Sequence, residues 1–127
     1  MDQPYSLEGR AAFVTGASRG IGRSIALALA KAGAAVACAA RAVEEVKSAA
    51  AEIEVAGGRA CALRLDVTQG AQITAAVKDA EKALGPIDIL VNNAGVTLEK
   101  KTVDVSDDEW DQVLDACRSQ RIWACQL

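Results

Sequence analysis

An apolar run that breaks into three closely spaced glycines is the feature that most constrains this chain. Residues 11–15 have the composition of a buried strand, the glycines are Gly16, Gly20 and Gly22, and an alanine- and leucine-rich helical pattern follows. A pyrophosphate needs free backbone N–H groups at the positive end of a helix dipole, and Cβ atoms would keep the backbone away from it. The segment therefore predicts a strand, a phosphate-binding loop and a helix N-terminus. A glycine turn by itself can also serve backbone conformation alone, so the interpretation depends on what surrounds it.

Strand-like and helical segments alternate along the chain. We predict strands at residues 11–15, 35–40, 59–65 and 87–91, and helices at about residues 20–32, 43–55 and 69–84. A capping box at residues 106–109 predicts the start of another helix. Such alternation implies parallel strands joined by right-handed crossovers, with a ligand crevice where the strand order reverses. The expected fold class is α/β, a Rossmann-type parallel sheet flanked by helices, with about four strands in the order 3-2-1-4.

Composition narrows the class of protein. The chain has 127 residues, which fits a single domain, and only 3% are aromatic, so the core must be built from Ala, Val, Ile and Leu. A net charge of −3 argues against nucleic acid or an anionic membrane as a partner. The polar N-terminus lacks the pattern of a signal peptide, and no apolar run is long enough to span a bilayer, which predicts a cytoplasmic protein.

Several residues that can carry chemistry have a simpler structural interpretation. Cys38 and Cys61 lie in apolar strand-like runs and are predicted to be core residues rather than ligands or nucleophiles. No Cys-x-x-Cys pair and no histidine is present, so no metal site is predicted. Asp88 stands at the start of a strand and is interpreted as a solvent-facing end residue without chemistry. Trp110 is interpreted as a helix residue that packs on the sheet.

Two motifs resemble the N-terminal signatures of the short-chain dehydrogenase/reductase family. They are TGASRGIG at residues 15–22 and NNAG at residues 92–95. The DVT run at residues 66–68 and the WDQVLD run at residues 110–115 are similar to the family's intervening pattern, so the resemblance covers about residues 7–115. The run at residues 91–97 looks like that of 3-oxoacyl-carrier-protein reductases. The resemblance implies hydride transfer between a nicotinamide dinucleotide and a small-molecule carbonyl or alcohol.

The resemblance also implies which residues hold the cofactor. In the family the glycine loop binds the pyrophosphate, the aspartate that follows the third strand approaches the adenine, and the NNAG segment supports the sheet and lines the cofactor crevice. The positions that carry these roles here are Gly16, Ser18, Arg19, Gly20, Ile21, Gly22, Asp66, Val67, Asn92, Asn93, Ala94 and Gly95.

The residues at the end of the second strand favour NADP over NAD. An acidic residue there would accept a hydrogen bond from a ribose hydroxyl and repel the extra phosphate of NADP, but this chain has Ala40 followed by Arg41. Arg41 and Arg19 can pair with that phosphate as charge-assisted donors, an arrangement that the family resemblance also associates with NADPH. The alternative is that Arg41 merely begins a helix in solvent.

The family's catalytic residues do not follow these motifs within residues 1–127. Family members carry a serine, a Tyr-x-x-x-Lys pair and a relay asparagine, whereas the chain's one tyrosine is Tyr5 and Cys117 stands where the asparagine is expected. Residues 116–127 depart from the family pattern, so we expect a single domain that is incomplete at its C-terminus. The expectation is the N-terminal part of an NADP(H)-dependent oxidoreductase, inactive in isolation. The alternative is a non-catalytic nucleotide-binding or interaction module. An exposed fourth strand further predicts self-association.

Overall fold

Seven helices and strands follow one another in the part of the chain that the structure describes. The structure is a computed structural model and describes residues 6–66, 68–93 and 106–108. The elements are β1 (Ala11–Thr15), α1 (Gly20–Lys31), β2 (Ala35–Ala40), α2 (Val43–Val55), β3 (Ala60–Arg64), α3 (Gly70–Leu84) and β4 (Ile89–Val91).

The strands form one parallel sheet in the order β3-β2-β1-β4. Ala12 of β1 lies opposite Val36 of β2 on one side and opposite Ile89 of β4 on the other. The strand order therefore reverses at β1, and the carboxyl ends of β1, β2 and β4 meet at one edge of the sheet. This confirms the predicted fold class and strand order.

The core consists of two apolar clusters, one on each face of the sheet. Phe13 and Ile73 belong to the cluster under α3, whereas Val14, Val46 and Ile53 belong to the cluster under α1 and α2. Successive residues of a strand point to opposite faces, so β1, which is buried at all five positions, supplies both clusters. Small alanines on the helices and strands let the layers approach closely, which is how a chain with few aromatic residues fills its interior.

The fourth strand is shorter than the predicted 87–91, because the side chain of Asp88 takes the place of a ladder bond. Its Oδ2 accepts a hydrogen bond from the Ala11 N–H at 3.0 Å, while the Asp88 N–H donates to the Ala11 carbonyl at 2.9 Å. Asp88 also pairs with Arg10 at 3.7 Å. Asp88 is exposed, as the sequence predicts, and its carboxylate in addition fixes where β4 joins β1.

Cysteine burial follows the strand order. Cys38 on the inner strand β2 is fully buried, as predicted. Cys61 packs against the other cluster but is only partly buried, because β3 lies at an edge of the described sheet. Burial raises the pKa of the Cys38 thiol to about 12, so this group stays protonated and inert as a nucleophile near neutral pH.

Two further sequence expectations concern the helix predicted to begin at residues 106–109 and membrane-spanning helices. Asp107 and Asp108 are helical, at the predicted capping box, and the rest of that predicted helix, including Trp110, lies outside the described residues, as does Cys117. None of the described helices is long and apolar enough to cross a membrane.

Candidate functional site

The loop that follows β1 turns sharply at two glycines. Gly16 and Gly20 have positive φ values of 66° and 60°. A side chain strains such a backbone, so glycine suits both positions. Between them Ala17 is fully buried, and its N–H donates to the Ala39 carbonyl of β2 at 3.3 Å. The hydrogen bond to Ala39 therefore holds the start of the loop against β2, and the loop leads from β1 to the N-terminus of α1.

The N-terminus of α1 is suited to an anion. Arg19 occupies the N-cap position with an extended backbone, and no described side chain caps the helix. The first turn holds no acidic residue, so the positive end of the helix dipole is not compensated there. Ile21 in this turn is 74% exposed, which is unusual for a large aliphatic side chain within the described residues. The first turn thus offers backbone donors beside an apolar surface.

Gly22 is where the glycine loop meets the end of β4. A Cβ atom built on Gly22 would overlap the Gly16 carbonyl and the Asn93 side-chain amide. The Asn93 Nδ2 donates to that same Gly16 carbonyl at 3.4 Å. The close approach of these three residues explains why the second glycine of the GIG sequence has no room for a side chain.

Thr15 joins the ends of β1 and β4. Its side chain is fully buried, its hydroxyl donates to the Val91 carbonyl at 3.3 Å, and its oxygen accepts from the Asn93 N–H at 2.9 Å. Sequence reasoning assigned Thr15 no separate role. The sequence does carry a signal for this role, which is a hydroxyl residue at the end of an otherwise apolar strand. A buried hydroxyl needs hydrogen-bond partners.

Polar residues also gather where β2 and β3 end. The Thr68 hydroxyl donates to Asp66 Oδ1 at 2.6 Å, and the Thr68 N–H donates to the same oxygen at 3.0 Å. The hydroxyl bond is the main cause that lowers the pKa of Asp66 below its ordinary value of 3.8, with help from the charges of Arg41 and Arg64. Asp66 is therefore a fixed carboxylate at neutral pH, held in its turn by Thr68.

Three arginines along this edge form no ion pair within 4 Å with any side chain that the structure describes, although the charges of Arg41 and Arg64 act on Asp66. Arg19 and Arg41 are exposed, and none of the residues that the structure describes forms an ion pair or hydrogen bond with their side chains. Arg64 lies opposite Ala40 in the β2–β3 register and is likewise unpaired within the described residues. Sequence reasoning missed Arg64, because only the pairing of β2 with β3 brings it beside Arg41.

The structure gathers the described part of the predicted site at the carboxyl edge of the sheet. Gly16 through Gly22 lie after β1, Arg41 after β2, Asp66 after β3, and Asn92 and Asn93 after β4. Val67, Ala94 and Gly95 lie outside the described residues. The role of each residue toward a cofactor stays a prediction.

Comparisons with known proteins agree with this geometry. The family model described as short chain dehydrogenase matches residues 10–127. The chain is 39% identical over 107 residues to the 3-oxoacyl-acyl-carrier-protein reductase FabG of Staphylococcus epidermidis, which covers 84% of this chain and 44% of that reductase. A solved dehydrogenase/reductase from Sinorhizobium meliloti is similar with a TM-score of 0.89 at 41% identity, covering 94% of this chain and 48% of that protein.

A further solved structure carries a ligand. It is a blue fluorescent protein from a metagenomic library in complex with NADPH, with a TM-score of 0.85 at 37% identity, covering 95% of this chain and 50% of that protein. The chain spans about half the length of the proteins that it matches.

Proposed function

We propose, since this chain belongs to the short-chain dehydrogenase family, that residues 1–127 form the cofactor-binding part of an NADP(H)-dependent oxidoreductase. The observation that carries the proposal is the loop between β1 and α1. Gly16 and Gly20 adopt left-handed backbone conformations, and Gly22 has no room for a Cβ atom. Together they hold the loop backbone close to the uncapped N-terminus of α1. This is the shape and polarity that a dinucleotide pyrophosphate requires.

Each group of residues along the carboxyl edge of the sheet has a proposed role toward the cofactor. The N–H groups of the loop at residues 16–22, apart from the Ala17 N–H that is bonded to Ala39, bind the pyrophosphate, and the exposed side chain of Ile21 packs against the cofactor. We assign Asp66 and Val67 to the adenine, and we assign the segment at residues 92–95 to the cofactor crevice. When bound, the reduced nicotinamide supplies a hydride for a carbonyl substrate, and the residues of this chain hold and orient it.

The preference for NADP(H) is supported by exposed arginines that form no described ion pair. Arg19 and Arg41 form no described ion pair, and Ala40 leaves no carboxylate in the position that would repel a 2′-phosphate. Arg64 adds a third cation beside Ala40. The NADPH complex of a protein 37% identical to this chain also favours the phosphorylated cofactor.

Replacing Ala40 with aspartate tests this preference. The new carboxylate should weaken NADPH binding by about tenfold and strengthen NADH binding, because it repels the phosphate and accepts from a ribose hydroxyl. Titration calorimetry with both dinucleotides measures the ratio of the NADPH and NADH affinities. Ala51→Asp adds the same charge at an exposed position of α2 and should leave the ratio unchanged. An unchanged ratio in the Ala40→Asp variant would contradict the charge-based account.

We expect the polypeptide of residues 1–127 to bind cofactor without catalysing reduction. Within it no tyrosine–lysine pair follows Asn93 to supply the proton that accompanies hydride transfer. An assay of NADPH oxidation with a small ketone or a 3-oxoacyl thioester should therefore stay at background. Turnover that survives a Tyr5→Phe change would show that another proton donor operates.

The remaining expectations are part of the same proposal. The substrate class is a small carbonyl or alcohol, with 3-oxoacyl thioesters suggested by the similarity to FabG. Self-association of this polypeptide through β4 would pair an edge of the described sheet. A cytoplasmic location, with no nucleic-acid or membrane partner, stays a prediction of the sequence.

A further inference from the structure

Arg23 connects the glycine loop to α2. It follows Gly22 in α1, and its Nη1 donates to the Ser18 carbonyl in the loop at 3.4 Å. Its Nη2 pairs with Glu52 Oε2 at 2.9 Å and donates to the Ser48 hydroxyl at 3.3 Å. The Arg23 side chain is 28% exposed and that of Glu52 is 53% exposed. One guanidinium therefore bridges the loop backbone and two side chains of a helix outside the predicted site.

The hydrogen bond from Arg23 to the Ser18 carbonyl influences the direction in which the Arg19 N–H group points. The described chain holds no cis peptide bond, so in the peptide that joins Ser18 to Arg19 the C=O and N–H point in opposite directions. When the Ser18 carbonyl faces Arg23, the Arg19 N–H faces away from it. The orientation of this peptide also sets where the Arg19 side chain leaves the loop.

We propose that Arg23 is a positioning residue, which holds the Ser18–Arg19 peptide in the orientation that the dinucleotide needs, and that Glu52 keeps the Arg23 guanidinium in place. The inference rests on the proposed cofactor role of the loop. Its consequence is that the order of the loop, and with it cofactor affinity, depends on a carboxylate of α2 that is not itself part of the predicted site.

The expected effect on the loop differs from an effect on global stability. A partly exposed ion pair between two helices contributes little to unfolding free energy, because solvent screens it. The Ser18 carbonyl bond is long and depends on where the guanidinium is held. Loss of Glu52 should therefore loosen the loop more than it lowers the melting temperature.

Amide hydrogen exchange of the full chain without cofactor tests this directly. Glu52→Gln should speed exchange of the amides at residues 17–22 by about fivefold, because a neutral amide holds the guanidinium more weakly than a carboxylate and the loop then opens more often. The matched control is Glu44→Gln, which removes the same charge from the same helix but breaks only the 3.7 Å pair with Lys47. It should leave loop exchange unchanged.

Titration with NADPH supplies a second readout. Glu52→Gln should weaken binding by about fivefold while its melting temperature stays close to that of the unsubstituted chain. Loop exchange that is unchanged by Glu52→Gln, or equally raised by Glu44→Gln, would overturn the inference. If the unsubstituted chain fails to bind NADPH, the proposed function fails, whereas the exchange result still decides whether Arg23 and Glu52 order the loop.

Discussion

Gly22→Ala is expected to destabilise the chain by about 3 kcal/mol and to abolish dinucleotide binding. The added Cβ would overlap the Gly16 carbonyl and the Asn93 amide, and the first of these is backbone at a sharp turn. Relief of the overlap requires α1 to move away from β1 and β4, which opens the junction that Thr15 and Asn93 hold together. Helix propensity alone favours alanine over glycine by about 1 kcal/mol, so a net loss can only come from the overlap.

Chemical denaturation of Gly22→Ala beside Gly70→Ala measures this effect. Gly70 begins α3, and a Cβ atom there meets no described atom within 4 Å. That substitution should be neutral or stabilising by about 0.5–1 kcal/mol. Equal stabilities of the two variants would show that the junction between the loop and β4 is looser than described.

The double variant Arg19→Gln, Arg41→Gln is expected to lose NADPH affinity by about a hundredfold, with NADH affinity changed much less. A hydrogen bond to a charged group contributes about 1.5–3 kcal/mol, and exposure of both arginines places the pair toward the lower end. The selective loss follows because only the 2′-phosphate of NADPH distinguishes the two cofactors.

Calorimetric titrations with both dinucleotides provide the measurement. A matched double variant, Lys31→Gln with Lys82→Gln, removes two charges at the last turns of α1 and α3, and these helix ends lie at the opposite edge of the sheet. It should leave the NADPH-to-NADH ratio unchanged. Equal losses of both cofactors in the arginine variant would mean that the arginines act on the shared pyrophosphate rather than on the 2′-phosphate.

Much of the fold could be predicted because its signals are local. Apolar runs, helical periodicity and glycine stops gave the element order, and the alternation of strands and helices led to the strand order 3-2-1-4, which the structure confirms. The fourth strand was predicted too long, since no local pattern shows that the Asp88 carboxylate replaces a ladder bond. The exposure of Cys61 likewise depends on its edge strand, which apolarity alone does not indicate.

The candidate site divides in the same way. Glycine spacing marks the loop because backbone conformation is a property of the local chain. The roles of Thr15 and Arg23 depend on partners far away in sequence, Asn93 just after β4 and Glu52 on α2, that only the folded sheet brings together. Arg64 was missed for the same reason, since its neighbour Ala40 lies on another strand.

Titration of the unsubstituted chain with NADPH and NADH by calorimetry tests the central claim most directly. The account predicts saturable binding of one NADPH per chain, at least about tenfold tighter than NADH, because the 2′-phosphate gains charge-assisted contacts. Absence of saturable binding by a folded chain, or equal affinities for the two dinucleotides, would contradict it.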